Sequence, residues 1–502
     1  MLLGRYSRRT IATFAALLTT TALFWFRWQP TQTIFRLSSA RDSRPESLAV
    51  PSCRGLPGAN DTVVVLKTGS TELEDKLPVH LKTTLSCYEN HLIFSDFAEL
   101  YQDEIILDAL EDVDPTIKGT HPDFALYRQL QQSGRASLDP SQLSGPRSLP
   151  PDDTSGKASN PGWKLDKWKF LPMIRKTLQE YPDKKWYVFV ETDTYALWST
   201  LLNYLAALDS SKQHYIGNQM QIGDILFAHG GSGFVISRPA LEMAVAQYTE
   251  NKAHWEDFTA NHWAGDCVLG KVLKDSGTSV VWAWPIWQGA NFGDLDYERV
   301  DYGHTLWCAP TVSYHHLTPS VVEDLWVFEQ DWVSKRQGNH SLTLRHHDIY
   351  AGYILPRILT PKSDWDNYSG DDKGTVSSLE DCRELCNNEL SCVQYSLNYD
   401  SSRCSTSSQP KYGEASLGTV WLDIRANERL SRQAKVLHRR GLDNMRDEQS
   451  TWQHLPRFDI SVFSIAIGSC QANNCRNQTH TERFWTNEEP CHSVVNGQDP
   501  VK

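Results

Sequence analysis

The sequence predicts an α/β protein built on a doubly wound sheet, and three short apolar runs support this prediction. Residues 61–69 (DTVVVLKTG) are typical of a buried strand followed by a Gly turn, and a segment of helical character, LPVHLKTTLSCYE, separates them from the strand-like residues 91–96 (HLIFSD). Residues 186–190 (WYVFV) are aromatic and β-branched, which is typical of a strand buried on both faces. Each run ends in polar residues. The order strand, helix, strand is typical of the beginning of a doubly wound sheet.

Two carboxylates follow the third run. Side chains at positions i and i+2 of a strand point the same way, so Glu191 and Asp193 should share a face while Thr192 points elsewhere. Two like charges repel unless a cation lies between them, and open α/β sheets bind ligands at the carboxyl ends of their strands. A divalent metal site is therefore one interpretation, and a solvated acidic turn is the alternative.

Length, charge and cysteine count limit the class of protein. The chain has 502 residues, which is too long for one compact domain, so more than one domain is expected. The formal net charge of −12 argues against a general nucleic-acid-binding protein. The 11 cysteines are odd in number, so at least one thiol is unpaired or bonds outside the chain.

The N-terminus predicts a membrane anchor. Residues 10–26 are an uncharged, mostly apolar run of the length that a bilayer needs, and three arginines precede it, which favours a cytosolic N-terminus. Bulky residues stand where a signal peptidase would need small ones. We therefore expect a cytosolic tail at 1–9, an uncleaved signal-anchor at 10–28 and a stem at 29–60. The rest of the chain would be lumenal, where disulfides form and where these glycosylation sequons would be used: Asn60, Asn339, Asn367 and Asn477.

Composition divides the remaining chain. A catalytic domain is predicted at 61–335, with a mobile insertion rich in Ser, Pro and Gly at 133–162. A separate module is predicted at 364–425, where four cysteines cluster, and a C-terminal extension at 426–502. A zinc site is the alternative for these cysteines, but the lumenal location and the absence of a CxxC pair favour two disulfides.

Two later stretches could complete a site with the carboxylates. Gly230, Gly231 and Gly233, in FAHGGSGFVISRPAL, predict backbone that approaches a ligand closely, with a hairpin turn as the alternative. Asp266 lies where a helix begins in HWAGDCVLGKVLKDSG. It either caps that helix or faces the cleft as a general base.

A pair of histidines is the last candidate feature. His315 and His316 end a strand-like run, so they should point to opposite faces, and only one should enter a given site. An imidazole there could complete a carboxylate-bound Mn²⁺. A structural histidine is the alternative.

The order of these features resembles the inverting glycosyltransferases of family 31, which include the fringe-type enzymes and the core 1 β1,3-galactosyltransferases. KKWYVFVETDTY is similar to the family's W-Y-x-x-x-D-D-D-T-Y, and GGSGFVISRPAL to its G-G-A-G-Y-x-L-S-x-x-A-L. GDCVLGKVL resembles E-D-V-x-x-G-x-x-L, and SYHHLTP resembles S-F-H-Y-V-x-P. The resemblance covers residues 61–335 and implies a GT-A-type, Rossmann-like α/β domain. The cysteine cluster resembles a PAN/apple module, a common carbohydrate- or protein-binding unit.

The resemblance implies a role for each candidate. Asp193 and His315 would bind Mn²⁺ with Glu191 as a further ligand, and Asp266 would be the catalytic base. His316 takes the place of a family Tyr. Two departures matter, because Thr192 replaces the middle Asp of the acidic triplet and Gly265 replaces the Glu beside the catalytic Asp, which puts acceptor contacts in doubt.

Donor and disulfide residues complete the expected set. Strand ends nearer the N-terminus should hold the donor nucleotide, with Lys67, Thr68 and Asp96 as candidates. Lys167 would approach the diphosphate, or is an exposed helical lysine. The resembling module implies the pairs Cys382–Cys404 and Cys386–Cys392, and a further pair is expected between Cys267 and Cys308, which flank the proposed site.

Together these expectations describe a type II Golgi membrane protein with a lumenal catalytic domain. It would transfer a hexose, galactose by the resemblance, from a UDP-sugar to a glycan or glycoprotein in β1,3 linkage. The oligomeric state stays open, with a homodimer as one option. Two alternatives remain: a catalytically inactive glycan-binding protein on the same fold, motivated by Thr192 and Gly265, and a secreted adhesion protein organised around the PAN-like module.

Overall fold

A computed structural model describes residues 53–144, 160–297, 299–301, 304–336, 343–358 and 362–421. Within these ranges, no helix is both long and apolar enough to cross a membrane. The predicted tail and anchor, most of the stem, Asn339, Asn477 and the C-terminal extension lie outside the described residues. The folded region begins earlier than predicted, because Cys53 is buried and forms a disulfide with Cys87.

A mixed sheet of eight strands forms the centre of the catalytic region. Numbered along the chain, the strands of this sheet and of the smaller sheets are β1 Thr62–Lys67, β2 Asn90–Ser95, β3 Glu99–Tyr101, β4 Glu104–Asp108, β5 Trp186–Glu191, β6 Tyr195–Ala196, β7 Tyr215–Gly217, β8 Gln219–Ile222, β9 Ile225–Ala228, β10 Phe234–Ser237, β11 Val281–Trp282, β12 Val300–Asp301, β13 His304–Thr305, β14 Ser313–Tyr314, β15 Lys362–Asp366, β16 Asp371–Thr375, β17 Gln394–Asn398, β18 Arg403–Ser407 and β19 Glu414–Trp421. The order in the large sheet is β11-β7-β10-β5-β1-β2-β4-β3. Strand β1 is parallel to both β2 and β5, and β10 is antiparallel to β5.

Helices cover both faces of this sheet, as a doubly wound fold requires. In chain order they are α1 Leu73–Lys82, α2 Thr84–Cys87, α3 Pro115–Thr120, α4 Ala125–Ser133, α5 Pro161–Glu180, α6 Trp198–Ala206, α7 Arg238–Glu250, α8 Lys252–Ala260, α9 Gly265–Asp275, α10 Pro319–Ser334, α11 His346–Ile349, α12 Leu355–Ile358 and α13 Leu379–Asn388. A π-helical turn, Tyr350–Ile354, joins α11 to α12. The structure thus confirms the α/β fold with a mostly parallel central sheet.

Alternate residues of the central strands enter two different cores. Val64 and Val188 pack on one face with α1 and α6, and Val63 and Phe189 pack on the other with α5, α7 and α9. Burial on both faces explains why β5 is a continuous apolar run rather than an alternating one. The carboxyl ends of β1 and β5 meet at one edge, where Lys67 and Glu191 are in register.

The C-terminal module is a five-stranded antiparallel sheet, in the order β15-β19-β17-β18-β16, with α13 packed against β17 and β18. Both predicted bonds, Cys382–Cys404 and Cys386–Cys392, are present. The module is attached to the catalytic region: Tyr412 N donates to the carbonyl of Gly293 at 3.1 Å. A third core joins α10 with the segment that ends at Ile358, and Tyr412 of the C-terminal module belongs to the same core.

Two expectations about the surface need correction. Residues 133–144 of the predicted insertion at 133–162 are folded: 3₁₀ turns occupy Arg135–Ser137 and Pro140–Gln142, and Arg135 pairs with Glu99 at 2.8 Å. Residues 145–159 of the insertion lie outside the described residues. Asn367 is fully buried, and its side-chain amide donates to the carbonyl of Tyr395 at 3.0 Å. A glycan on Asn367 would need this packing to open, whereas Asn60 is exposed.

Candidate active site

A cavity of about 480 Å³ opens at the carboxyl ends of β1 and β5. Its walls come from α1, α5, the β8–β9 hairpin, the start of α9 and the residues after β14. Glu191, Asp193, Asp266 and His315 all line it. The fold therefore brings together the acidic pair, Asp266 and the histidine that the sequence singled out.

Asp193, His315 and His316 form one cluster, in which a potential ligand atom from each lies within 4.8 Å of the others. His315 Nε2 lies 3.3 Å from Asp193 Oδ1, and the two imidazole centroids are 3.8 Å apart. The expectation that the histidines point to opposite faces is wrong. Strand β14 ends at Tyr314, and His316 has a φ of 59°, so the alternation of a strand no longer applies.

The chemistry of this cluster fits a divalent metal. Asp193 Oδ1 is buried and has no well-aligned hydrogen-bond donor among the described residues, although His315 Nε2, a second potential ligand, lies 3.3 Å away. One carboxylate and two imidazoles are a donor set that a transition metal accepts. Burial would raise the pKa of Asp193, but the Lys76 ammonium and His315 hold that pKa far below its ordinary value, so the carboxylate is ionised.

Two lysines supply positive charge beside the two carboxylates, Glu191 and Asp193. Lys76 Nζ lies 3.1 Å from Asp193 Oδ2 and 2.9 Å from Glu72 Oε2. Lys67 Nζ lies 2.9 Å from Glu191 Oε1 and 2.6 Å from Asp166 Oδ1. Burial opposes the charged form of each lysine, yet the neighbouring carboxylates raise the pKa of both.

Glu191 therefore has a lysine partner rather than a place in the metal cluster. Burial raises the pKa of Glu191, and Lys67 opposes this effect. The third potential ligand in the described cluster is His316, where the sequence had suggested Glu191. Thr192 points away from the cavity, as predicted, and its carbonyl accepts from His80 Nε2 at 2.8 Å.

Asp266 lies in the first turn of α9 and faces the cavity. It is not the helix cap, because that position is Ala264. Its Oδ2 accepts from Gly230 N and its Oδ1 from Cys267 N, each at 2.8 Å. Burial raises the pKa of Asp266 to about 6, although these two hydrogen bonds oppose the shift. A carboxylate with that pKa can accept a proton near neutral pH.

The glycine-rich turn approaches the site rather than forming only a hairpin. A Cβ on Gly231 would come within 2.3 Å of the His315 ring, and one on Gly230 would come within 3.3 Å of Glu191 Oε1. Gly233 has a φ of 77°, which favours glycine. The turn thus supports the side chains of the cavity, and Gly231 leaves the space that His315 occupies.

Gly265 has a packing role that requires a glycine at this position. A Cβ at this position would lie 2.5 Å from the Phe170 ring and 2.6 Å from Lys167 Cα. Helix α9 therefore begins in direct contact with α5, and a larger residue would push the two helices apart. The close contact sets the position of Asp266.

The donor candidates divide into two groups. Lys167 lines the cavity, where it pairs with Asp123 at 3.0 Å. Lys67, Thr68 and Asp96 are not among the described residues that line it. Asp96 is fully buried and accepts from Ser70 N at 2.8 Å, so it holds the turn after β1 rather than facing a ligand.

Sequence reasoning missed two lysines that line the cavity. Lys169 Nζ donates to the carbonyl of Thr68 at 2.8 Å and lies 3.6 Å from Asp96 Oδ2. Lys76 belongs to α1 and contacts Asp193 as described above. A signal was available for Lys169, because Asp166 and Lys169 are three residues apart in LDKWKF and so share a helix face.

The expected pair between Cys267 and Cys308 is wrong, because Cys267 is a free thiol. Cys267 is fully buried in α9 and packs with Ile225, Phe227 and Ala264. Burial raises the pKa of this thiol to about 12, so it is protonated and acts as a small apolar residue.

Comparison with known proteins supports the activity class. Residues 167–283 match the model of the Fringe-like family. The matched segment contains β5, the glycine-rich turn and the start of α9, and it includes Glu191, Asp193 and Asp266 of the cavity. No curated protein matches the chain. In residues 167–283 the chain is thus similar to Fringe-like proteins, and this similarity supports a glycosyltransferase activity.

Proposed function

We propose that the protein is an inverting, metal-dependent glycosyltransferase that moves a hexose from a UDP-sugar to a hydroxyl of a glycan or glycoprotein. The observation that carries the proposal is the convergence of Asp193, His315 and Asp266 on one cavity. Galactose as the transferred sugar and a β1,3 linkage come from the resemblance to family 31. The proposal includes a type II arrangement in the Golgi and a PAN/apple-like role in carbohydrate or protein binding for the C-terminal module.

The charged groups of the cavity would divide the work of the reaction. Asp193, His315 and His316 would hold the metal, which as a Lewis acid would stabilise the charge that grows on the leaving diphosphate. Lys76 and Lys169 also line the cavity and offer ammonium groups to the same phosphates.

Asp266 would act on the acceptor. Its carboxylate would take the proton of the acceptor hydroxyl as that oxygen bonds to the anomeric carbon of the donor. The bond from this carbon to the diphosphate oxygen breaks on the opposite side of the sugar, so the configuration inverts and UDP leaves. The hydrogen bonds from Gly230 N and Cys267 N hold the carboxylate in place for this step.

UDP release tests the proposal. The purified protein is incubated with each common UDP-hexose and UDP-N-acetylhexosamine, with Mn²⁺ and after chelation. We expect slow UDP release from at least one donor, its loss on chelation, and its loss in Asp193→Ala. UDP release from none of the donors would contradict the proposal.

A second candidate is a glycan-binding protein that has lost catalysis. The observation in its favour is that the ammonium groups of Lys76 and Lys67 pair with the carboxylates of Asp193 and Glu191. This candidate predicts retention of the protein on immobilised glycans with no UDP release from any donor. UDP release that depends on Asp266 would exclude it.

A further inference from the structure

The opening of the cavity carries exposed aromatic surface that the proposed chemistry does not use. Trp163 is 41% exposed and Trp263 is 62% exposed, and both line the cavity. Met220, which is 47% exposed, also lines it. Exposed apolar side chains grouped at the rim of a polar cavity mark a surface that binds a ligand.

The two indole rings do not bury each other. Their planes are 14° apart and their centroids are 6.5 Å apart. This separation is near the outer end of the range of roughly 4.5–7 Å over which aromatic rings attract. Mutual stacking therefore accounts for little of their surface, and flat apolar area stays open to a ligand.

The fold places this surface beside the proposed base. On α5, Trp163, Asp166, Lys167 and Phe170 have the spacing of a single helix face, and all four line the cavity. Trp263 is three residues before Asp266. The close contact at Gly265, where α9 meets α5, positions the aromatic surface and the base together.

We propose that Trp163 and Trp263 form an acceptor subsite that binds the pyranose ring of a glycan. The inference rests on the proposed function, because it names the acceptor class of the same site. One face of a pyranose carries C–H groups with partial positive charge, and the face of an indole ring is negative. In the proposed function the diphosphate lies against Lys76 and the metal cluster that contains Asp193, and both residues are buried, so the exposed rim is assigned to the acceptor.

Saturation-transfer NMR on the full chain with UDP and Mn²⁺ tests the subsite. The probes are the methyl glycosides of galactose, glucose, mannose and N-acetylgalactosamine, which carry no aromatic group. With wild type we expect saturation of the ring C–H protons of at least one probe. In Trp163→Ala and Trp263→Ala this signal should fall by roughly tenfold, the size of one aromatic contact.

Two matched variants control for surface and shape. Trp263→Phe keeps a flat ring and should retain most of the signal. Leu100→Ala removes an exposed apolar side chain, 71% exposed on β3, that does not line the cavity, and it should leave the signal unchanged.

A second readout separates this inference from the proposed function. UDP affinity, measured by calorimetry with Mn²⁺ present, should be unchanged in both tryptophan variants. Weaker UDP binding in these variants would assign the tryptophans to the donor and overturn the subsite, as would wild-type protein that saturates none of the four probes. Saturation without any UDP-sugar hydrolysis would support the subsite and contradict the proposed catalysis.

Discussion

The imidazole of His315 lies 3.3 Å from the carboxylate of Asp193, and a short backbone ladder brings them together. Strand β14 pairs antiparallel with β6, with Tyr314 opposite Tyr195. Leu317 N then donates to the carbonyl of Asp193 at 2.9 Å. Main-chain hydrogen bonds therefore hold Asp193 and His315 side by side. Substitution of either side chain should leave these hydrogen bonds in place.

Replacement of Asp193 should abolish metal binding. Asp193→Ala removes the only carboxylate of the described cluster. Changes in residues that only support a ligand lower metal affinity by roughly 10- to 100-fold, so loss of this ligand should lower it by at least as much. Titration with Mn²⁺, followed by its paramagnetic effect on water relaxation, measures this. Glu191→Gln is the matched control, because Glu191 pairs with Lys67 outside the cluster. Equal losses in the two variants would show that the ligand set is wrong.

His316 can be tested without disturbing the backbone. Its φ of 59° is unfavourable for most residues and natural for glycine, so His316→Gly removes the ring and relieves strain at the same position. We expect an unchanged or slightly higher melting temperature. Metal binding should weaken at least as much as on loss of an outer-shell partner, roughly 10- to 100-fold. His316→Asn tolerates the same φ and serves as a second variant. Unchanged metal affinity in both variants would remove His316 from the ligand set.

Local patterns in the sequence predicted the frame of the site. The apolar run of β5 and the carboxylate of Glu191 at its end follow from the local sequence. Thr192 and Asp193 lie in the turn after β5, so their directions match the prediction although the strand on which it was based has ended. The helix that begins beside Asp266 follows from its spacing of apolar residues. These features depend on neighbours within a few positions, so one sequence is enough to find them.

Contacts between distant segments could not be predicted in the same way. The ion pairs Lys67–Glu191 and Lys76–Asp193 join separate elements of the fold. The sequence around each lysine does not indicate which carboxylate it pairs with. The positive φ of His316 depends on the turn after β14, so the strand rule failed there. The bond Cys53–Cys87 was missed because cysteine count alone does not give connectivity.

Gly265 should be intolerant of even one methyl group. In Gly265→Ala the added Cβ would meet Phe170 and the backbone of Lys167 at about 2.5 Å, and overpacking of this kind costs about 1–3 kcal/mol. Chemical denaturation measures the loss. Gly119→Ala is the matched control, because no atom lies within 4 Å of its Cβ in helix α3. That variant should be stabilised by about 0.5–1 kcal/mol. A neutral Gly265→Ala would mean that α5 and α9 are not in close contact.

The pH dependence of transfer should report the ionisation of Asp266. Burial raises the pKa of this carboxyl to about 6, and only the ionised form can accept the acceptor's proton. Activity should therefore be low well below pH 6, rise through pH 6 and level off above it. Asp266→Asn should lower the rate by about 10²–10⁴-fold, the usual contribution of a general base, and should remove this rise.

Asp275→Asn, an exposed position at the other end of α9 that pairs with Lys271, is the control and should keep the wild-type profile. Because the metal cluster also titrates, the profile is measured at saturating Mn²⁺, where the contribution of Asp193 and His315 is suppressed. A variant that lacks the Asp266 carboxylate yet keeps both the rate and the rise would assign proton transfer to another group.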